Sequence, residues 1–243
     1  MKKTLLLLLV AFLTVVVSAP TFAASGLSLE SHMKFSNRDT EKVFMESFTG
    51  WADDSTGGWF FFIDLNSKSK YSMGYAFNYF EVSRDFSFGK LFESKDLEPL
   101  SLHLEYNGTT HSSVCYYLAG VKYALSGYPY ILTVSLSAKL HRNNNGFEPD
   151  PTWQATVVWN LTLSDGLFNF GGFIDIWNNT EFSSSKIAFL TQPQFLVNLG
   201  KLGMGKTAES FWLGTEVEIR KNAYFFESDK IKVMPSIFLR YDF

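Results

Sequence analysis

The chain has 243 residues, with 21 Lys and Arg against 24 Asp and Glu, a formal charge of -3. No basic block stands out, which argues against a nucleic-acid partner. The lone Cys115 excludes an internal disulfide and reads as a small apolar residue on a strand.

Lys2 and Lys3 precede an apolar run from Leu5 to Val17, followed by the small-residue-rich Ser18 to Ala24. This pattern predicts a secretory signal peptide over residues 1–23, cut after Ala23. Its removal leaves 19 basic and 24 acidic residues, a charge near -5. No other apolar stretch approaches the ~18 residues of a membrane helix. The mature chain is therefore expected to be either exported and soluble or a membrane β-barrel.

Leu27 to Phe35 and Thr40 to Thr49 read as strands around a turn at Ser36 to Asp39. Asp53 to Gly58 is a polar turn, and Trp59 to Leu65 an aromatic strand whose Phe60, Phe62 and Asp64 share one parity. Past a loop at Asn66 to Lys70 comes an extended stretch, Gly74 to Phe88, then a charged connector, Lys90 to Pro99. Leu100 to Asn107 alternates cleanly. Val114 to Leu125 and Tyr130 to Arg142 form a predicted hairpin across Ser126-Gly-Tyr-Pro129. In its second arm Leu132, Val134, Leu136 and Leu140 alternate with Thr133, Ser135, Ser137 and Lys139, over about the length of one spanning β-strand.

Trp153 to Leu163 repeats that alternation. It turns at Ser164-Asp-Gly166 into a strand from Phe168 to Ile176. Lys186 to Leu199 is a strand disturbed at Pro193, which lacks a ladder donor and predicts a bulge. Glu209 to Arg220 and a closing strand ending Ile237 to Phe243 complete the set, joined by a loop at Asn222 to Lys230. In the closing strand Val233, Ile237, Leu239, Tyr241 and Phe243 share one parity, and Ser236, Arg240 and Asp242 the other; Phe238 breaks the pattern.

About twelve strands, one apolar face on each, predict an all-β fold. It is a single transmembrane antiparallel up-and-down barrel over residues 24–243, with lipid outside and a polar lumen inside. Aromatic residues at 17% and charged residues at 19% suit interfacial girdles and a lipid-facing wall. With both ends in the periplasm, the turns at Ser126 to Pro129 and Ser164 to Gly166 are periplasmic and short, and Lys90 to Pro99 is the exception. The expected location is a bacterial outer membrane. The expected partners are its lipid, a small polar or aromatic solute, and the barrel-assembly machinery through the strand ending at Phe243.

Phe60-Phe-Phe-Ile-Asp64, Phe80-Glu-Val-Ser-Arg84, Ser101-Leu-His-Leu-Glu-Tyr-Asn-Gly108 and the terminal Arg240-Tyr-Asp-Phe243 together resemble a subfamily of the Tsx-like, nucleoside-specific channel family of outer-membrane barrels. The resemblance runs from about Leu27 to Phe243. It implies a monomeric, narrow barrel passing nucleosides, with binding sites of lumenal aromatic residues beside ionisable ones. Here the matching chemistry is Phe60, Phe62, Asp64, Tyr79, Glu81, His103, Glu105 and Arg240.

Aromatic rings stack on a base or sugar face and carboxylates accept from hydroxyls or amines, while passage requires that binding stay weak. The competing reading is a filled lumen in which Glu105, Glu216 and Glu218 neutralise Lys139, Arg220 and Arg240. A third is a membrane-embedded hydrolase using Ser101 and His103, which lie two residues apart on one face. No metal spacing occurs among the four histidines, and no cofactor, metal or enzyme activity is expected.

Overall fold

The structure is a computed structural model that describes residues 27–38, 41–69, 72–109, 115–127, 129–143, 146–147, 151–179, 186–223 and 230–242. The expected signal peptide and the terminal Phe243 lie outside them.

Among the described residues the strands are β1 (Leu27–Arg38), β2 (Glu41–Asp54), β3 (Gly57–Ser69), β4 (Ser72–Ser87), β5 (Leu100–Thr109), β6 (Cys115–Gly127) and β7 (Tyr130–Asn143). They continue as β8 (Gly146–Phe147), β9 (Thr152–Leu163), β10 (Phe168–Asn179), β11 (Lys186–Thr191), β12 (Gln194–Asn198), β13 (Phe211–Lys221) and β14 (Lys232–Asp242). Every pairing is antiparallel, and β14 pairs β1, so the sheet closes on itself. β8 only extends the β7 end, and β11 and β12 are two halves of one stave. The ring therefore has twelve staves, and closure removes every sheet edge.

Which face meets lipid follows from side-chain exposure along single strands. On β7 Leu136 is 63% exposed while its neighbour Ser137 is 3% exposed. On β13 and β14 Glu216 is 2% exposed while Ile237 is 61% exposed. The apolar parity points out and the polar parity points in. An apolar outer wall with a polar interior is stable in a bilayer and not in water.

The turns are tighter than the sequence suggests. The expected turn at Asp53 to Gly58 shrinks to Ser55-Thr56, because Asp54 Oδ1 accepts from the backbone N–H groups of Thr56 (2.7 Å) and Gly57 (3.1 Å). That frees Asp53 and Gly58 to pair with each other. The expected loop at Asn66 to Lys70 is largely strand, since β3 runs to Ser69 and β4 begins at Ser72. Ser36 likewise belongs to β1, paired with Val43 and Ser236. Glu209 precedes β13 and sits at the end of a short turn of 3-10 helix, Lys206–Ala208.

The disturbance at Pro193 is a break between β11 and β12. Opposite it Gly172 has φ +148°, and a Cβ there would meet Gln192 O at 2.6 Å. Gln192 N donates to Phe173 O, and Pro193 O accepts from Val217 N, both at 3.1 Å. The missing proline donor is thus placed where no ladder bond is required. Pro235 in β14 also costs little, because β1 pairs only from Ser236 onward.

The start of β1 and the end of β14 lie at one rim, with the β2–β3, β4–β5, β6–β7, β9–β10 and β12–β13 connections. Three of these are short. The connector Lys90 to Pro99 folds as helix α1 (Phe88–Phe92), capped by Ser87, and a 3-10 turn at Lys95–Leu97. The stretch from Leu199 to Ser210 is a second long connection at the same rim. Lys90 to Pro99 is the expected exception, Leu199 to Ser210 is a second one, and at the other rim β1 and β2, and β3 and β4, follow one another as closely as strands joined by the short turns do.

Candidate functional site

Seven inward-facing side chains of the expected set lie on three adjacent staves. β3 contributes Phe60, Phe62 and Asp64, which pair across to Ser83, Glu81 and Tyr79 of β4. β5 contributes His103 and Glu105, which pair with Asp85 and Ser83. Phe62 and Tyr79 lie 6.1 Å apart between ring centroids, and the Tyr79 hydroxyl donates to Glu81 Oε2 at 3.1 Å. Phe60 instead meets Trp51, 5.9 Å away. Asp64 is buried and accepts from the Ser47 hydroxyl.

His103 sits between two carboxylates, Asp85 Oδ1 at 2.7 Å from Nδ1 and Glu105 Oε2 at 3.2 Å from Nε2. Asp85 also pairs with Lys122 Nζ at 2.6 Å, and Asn107 donates to Glu105 at 2.6 Å. Carboxylates only accept, so neither ring nitrogen is left as the base that Ser101 would need. The geometry gives the hydrolase reading no support.

Arg240 stands apart from this wall. It lies on β14, with β1 and β2 between it and β3, pairs with Asp242, and stacks over Trp212 at 4.8 Å.

The facing wall carries Asp175, which the sequence reading did not select, and Lys139, which it placed only in the neutralising network. Asp175 on β10 accepts from the Thr156 hydroxyl at 2.5 Å and lies within electrostatic reach of Glu105 and Lys139. Glu81 in turn lies within reach of Glu105 and Asp175. β4 and β10 are on opposite sides of the ring, so these carboxylates face one another across the lumen. Lys139 donates to Gln154 Oε1 at 3.0 Å and sits over the rings of Tyr116 and Trp177. One signal could have found Asp175: Phe62-Ile63-Asp64 recurs as Phe173-Ile174-Asp175, six staves further round.

Members of the expected neutralising network have partners among the described residues. Arg220 pairs with Glu218 at 3.1 Å, while Glu216 accepts from Gln194 at 2.5 Å. Lower on that side the lumen is filled. Phe238 is 1% exposed and lies against Gly214, where a Cβ would come within 2.5 Å of the ring. A separate apolar hollow lined by Leu104, Tyr106, Tyr117, Ala119, Ala138 and Leu140 faces lipid and is not part of the lumen.

The model of the DUF5020 family, described as a domain of unknown function, matches residues 27–243. The chain belongs to the DUF5020 family. No protein of curated function matches it in sequence. Among solved structures, the NanC porin shares 7% identity over 89% of this chain and 99% of that one, with a TM-score of 0.54. OccK11 (OpdR) of Pseudomonas aeruginosa shares 8% identity over 91% and 96%, with a TM-score of 0.43. The outer membrane protein OprD from the same organism shares 8% identity over 93% and 95%, with a TM-score of 0.42. At such identity the likeness to NanC is one of fold. This DUF5020 member has the fold of an outer-membrane porin barrel, and with its apolar outer wall it is an outer-membrane protein.

Proposed function

We propose that the protein is a passive outer-membrane channel of Tsx-like type for small polar or aromatic solutes, with nucleosides the first class to test. The observation that carries this reading is the wall where the Phe62 and Tyr79 rings stand beside Glu81, His103 and Glu105, faced by Asp175. Rings offer a stacking surface and carboxylates accept from hydroxyls, and neither contact alone is strong enough to trap a solute in transit. No catalytic step is part of the proposal. The channel works as a monomer and without a cofactor.

Swelling of liposomes holding the refolded protein tests it, with adenosine and thymidine compared against sugars of similar size. Faster swelling with nucleosides supports the channel and its solute class. Equal rates for all solutes retain the channel and remove the nucleosides.

A second reading is a closed barrel acting through its loops. Phe238 packed on Gly214 favours it, with Tyr116, Leu118, Leu190 and Leu196 buried along the lumenal parity. No swelling with any solute would decide for it.

A further inference from the structure

The two long connections at the terminal rim are copies of one element. Ser87-Phe-Gly-Lys-Leu91 continues to Lys95 and Glu98, and Asn198-Leu-Gly-Lys-Leu202 continues to Lys206 and Glu209. The same spacing separates Asp54 from Asp165, Asp64 from Asp175 and Glu105 from Glu216. Contacts repeat with the residues. Ser87 Oγ accepts from Lys90 N at 3.3 Å, and Asn198 Oδ1 accepts from Lys201 N at 2.9 Å. Lys90 Nζ donates to Asp54 O at 2.7 Å, and Lys201 Nζ donates to Asp165 O, so each copy clamps the neighbouring short turn. A Cβ on Gly89 would meet Glu98 Cα at 2.6 Å, and one on Gly200 would meet Glu209 N at 2.5 Å; both glycines let the returning chain cross closely. Glu98 N donates to Lys95 O at 3.2 Å and Glu209 N to Lys206 O at 3.1 Å.

The copies stand at opposite points of the twelve-stave ring, between β4 and β5 and between β12 and β13. Each ends in exposed apolar side chains. Leu91 and Phe92 are 48% and 67% exposed, and Leu202 and Met204 are 60% and 65% exposed. Lysines flank both tips. The first copy continues the lipid-facing wall: Val82, Arg84, Phe86 and Phe88 share the outward parity of β4, and Phe92 packs on Phe88 with centroids 6.1 Å apart. Phe195, Val197 and Leu199 lead into the second copy on the same outward parity. Glu93 and Asp96 offset the lysines of the first copy, so the apolar tips rather than charge define the occupant.

We propose that these two loops seat the barrel's terminal rim in the phospholipid leaflet at two opposite points, with Leu91, Phe92, Leu202 and Met204 in the boundary between headgroups and acyl chains and Lys95 and Lys206 reaching back toward water. This role is independent of what the lumen passes.

Nitroxide labels at Leu91→Cys and Leu202→Cys, each in full-length Cys115→Ser protein refolded into phosphatidylethanolamine vesicles, test it. Leu136→Cys serves as the lipid-immersed reference and Asp165→Cys as the aqueous reference at the same rim. Greater access to oxygen than to a water-soluble nickel chelate at both loops, as at Leu136, is expected. Nickel access matching that of Asp165 at either loop, while Leu136 reads as immersed, would overturn the proposal. Spectral broadening that disappears on dilution with unlabelled protein would place a second copy there instead, and would overturn it equally. A Leu136 label that is not immersed would mean a failed insertion, and the loops are then read in protein extracted already folded from membranes.

Discussion

Phe238 breaks the alternation of the closing strand because it fills the lumen rather than meeting lipid, and Gly214 leaves it the room. Gly214→Ala adds a methyl group 2.5 Å from that ring and is expected to cost about 1–3 kcal/mol, read from denaturant unfolding in detergent. Gly120 on β6 also lies on the inward parity, but there the obstruction is backbone, and a Cβ would stand only 2.1 Å from Leu136 O. Gly120→Ala should therefore cost more than Gly214→Ala, since a ring can turn and a paired strand cannot; an equal or smaller loss would contradict this packing. At the terminal rim Arg84 is stacked between Trp59 and Phe86 and donates to Asp54 at 2.8 Å. Burial pushes the Asp54 carboxyl up, but hydrogen bonds from Arg84 and Thr56 outweigh it and hold the group well below the usual carboxylate range. A lowered folded-state value means stability that is present above the ordinary value of 3.8 and lost as pH falls toward the folded one. Asp54→Asn should thus cost about 1 kcal/mol or less at neutral pH, and its deficit should shrink on acidification in unfolding measured across pH. A deficit independent of pH would mean that the carboxylate charge is not what matters.

At the scale of elements, the bulge between β11 and β12 depends on glycine on one strand and proline on the other. Pro193 has no bond to lose, so Pro193→Ala should change stability by less than about 1 kcal/mol. Gly172→Ala forces a side chain into a left-handed backbone and against Gln192 O. It should cost about 1–3 kcal/mol, with the larger effect on unfolding falling at this position. Strand existence and parity were legible in the chain, because alternation over ten or so residues has a single interpretation once both faces differ in polarity. Turn lengths were not legible. Asp54 reads as a loop residue by type, yet it folds its own side chain over the turn and lets the strands run on either side. The twin connections were visible as a repeated Gly-Lys-Leu, but only their matching contacts distinguish a duplicated element from a chance tripeptide.

At the scale of the whole molecule, the outer wall is a solvent-matching surface. Leu136→Lys, in the middle of β7, should cost about 2–4 kcal/mol in reversible unfolding from lipid vesicles. Ser135→Lys points inward and should leave stability nearly unchanged while slowing solute flux. Equal costs at the two positions would contradict the assignment of faces. Glu81→Gln combined with Asp175→Asn should reduce the preference for cations in reversal-potential measurements, since both carboxylates lie on the lumenal parity; an unchanged reversal potential would place them outside the ion path. Sequence alone determined the all-β class, the set of about twelve staves, the outward parity and the shared face of Phe60, Phe62 and Asp64, because a period of two sorts faces locally; the family resemblance added Tyr79, Glu81, His103 and Glu105. Only closure decided the rest. Asp175 and Lys139 come opposite β4 and β5, Arg240 is carried away from them, and Phe238 fills space over Gly214, because those relations depend on strand stagger around the whole ring, a sum over twelve registers that no single stretch contains.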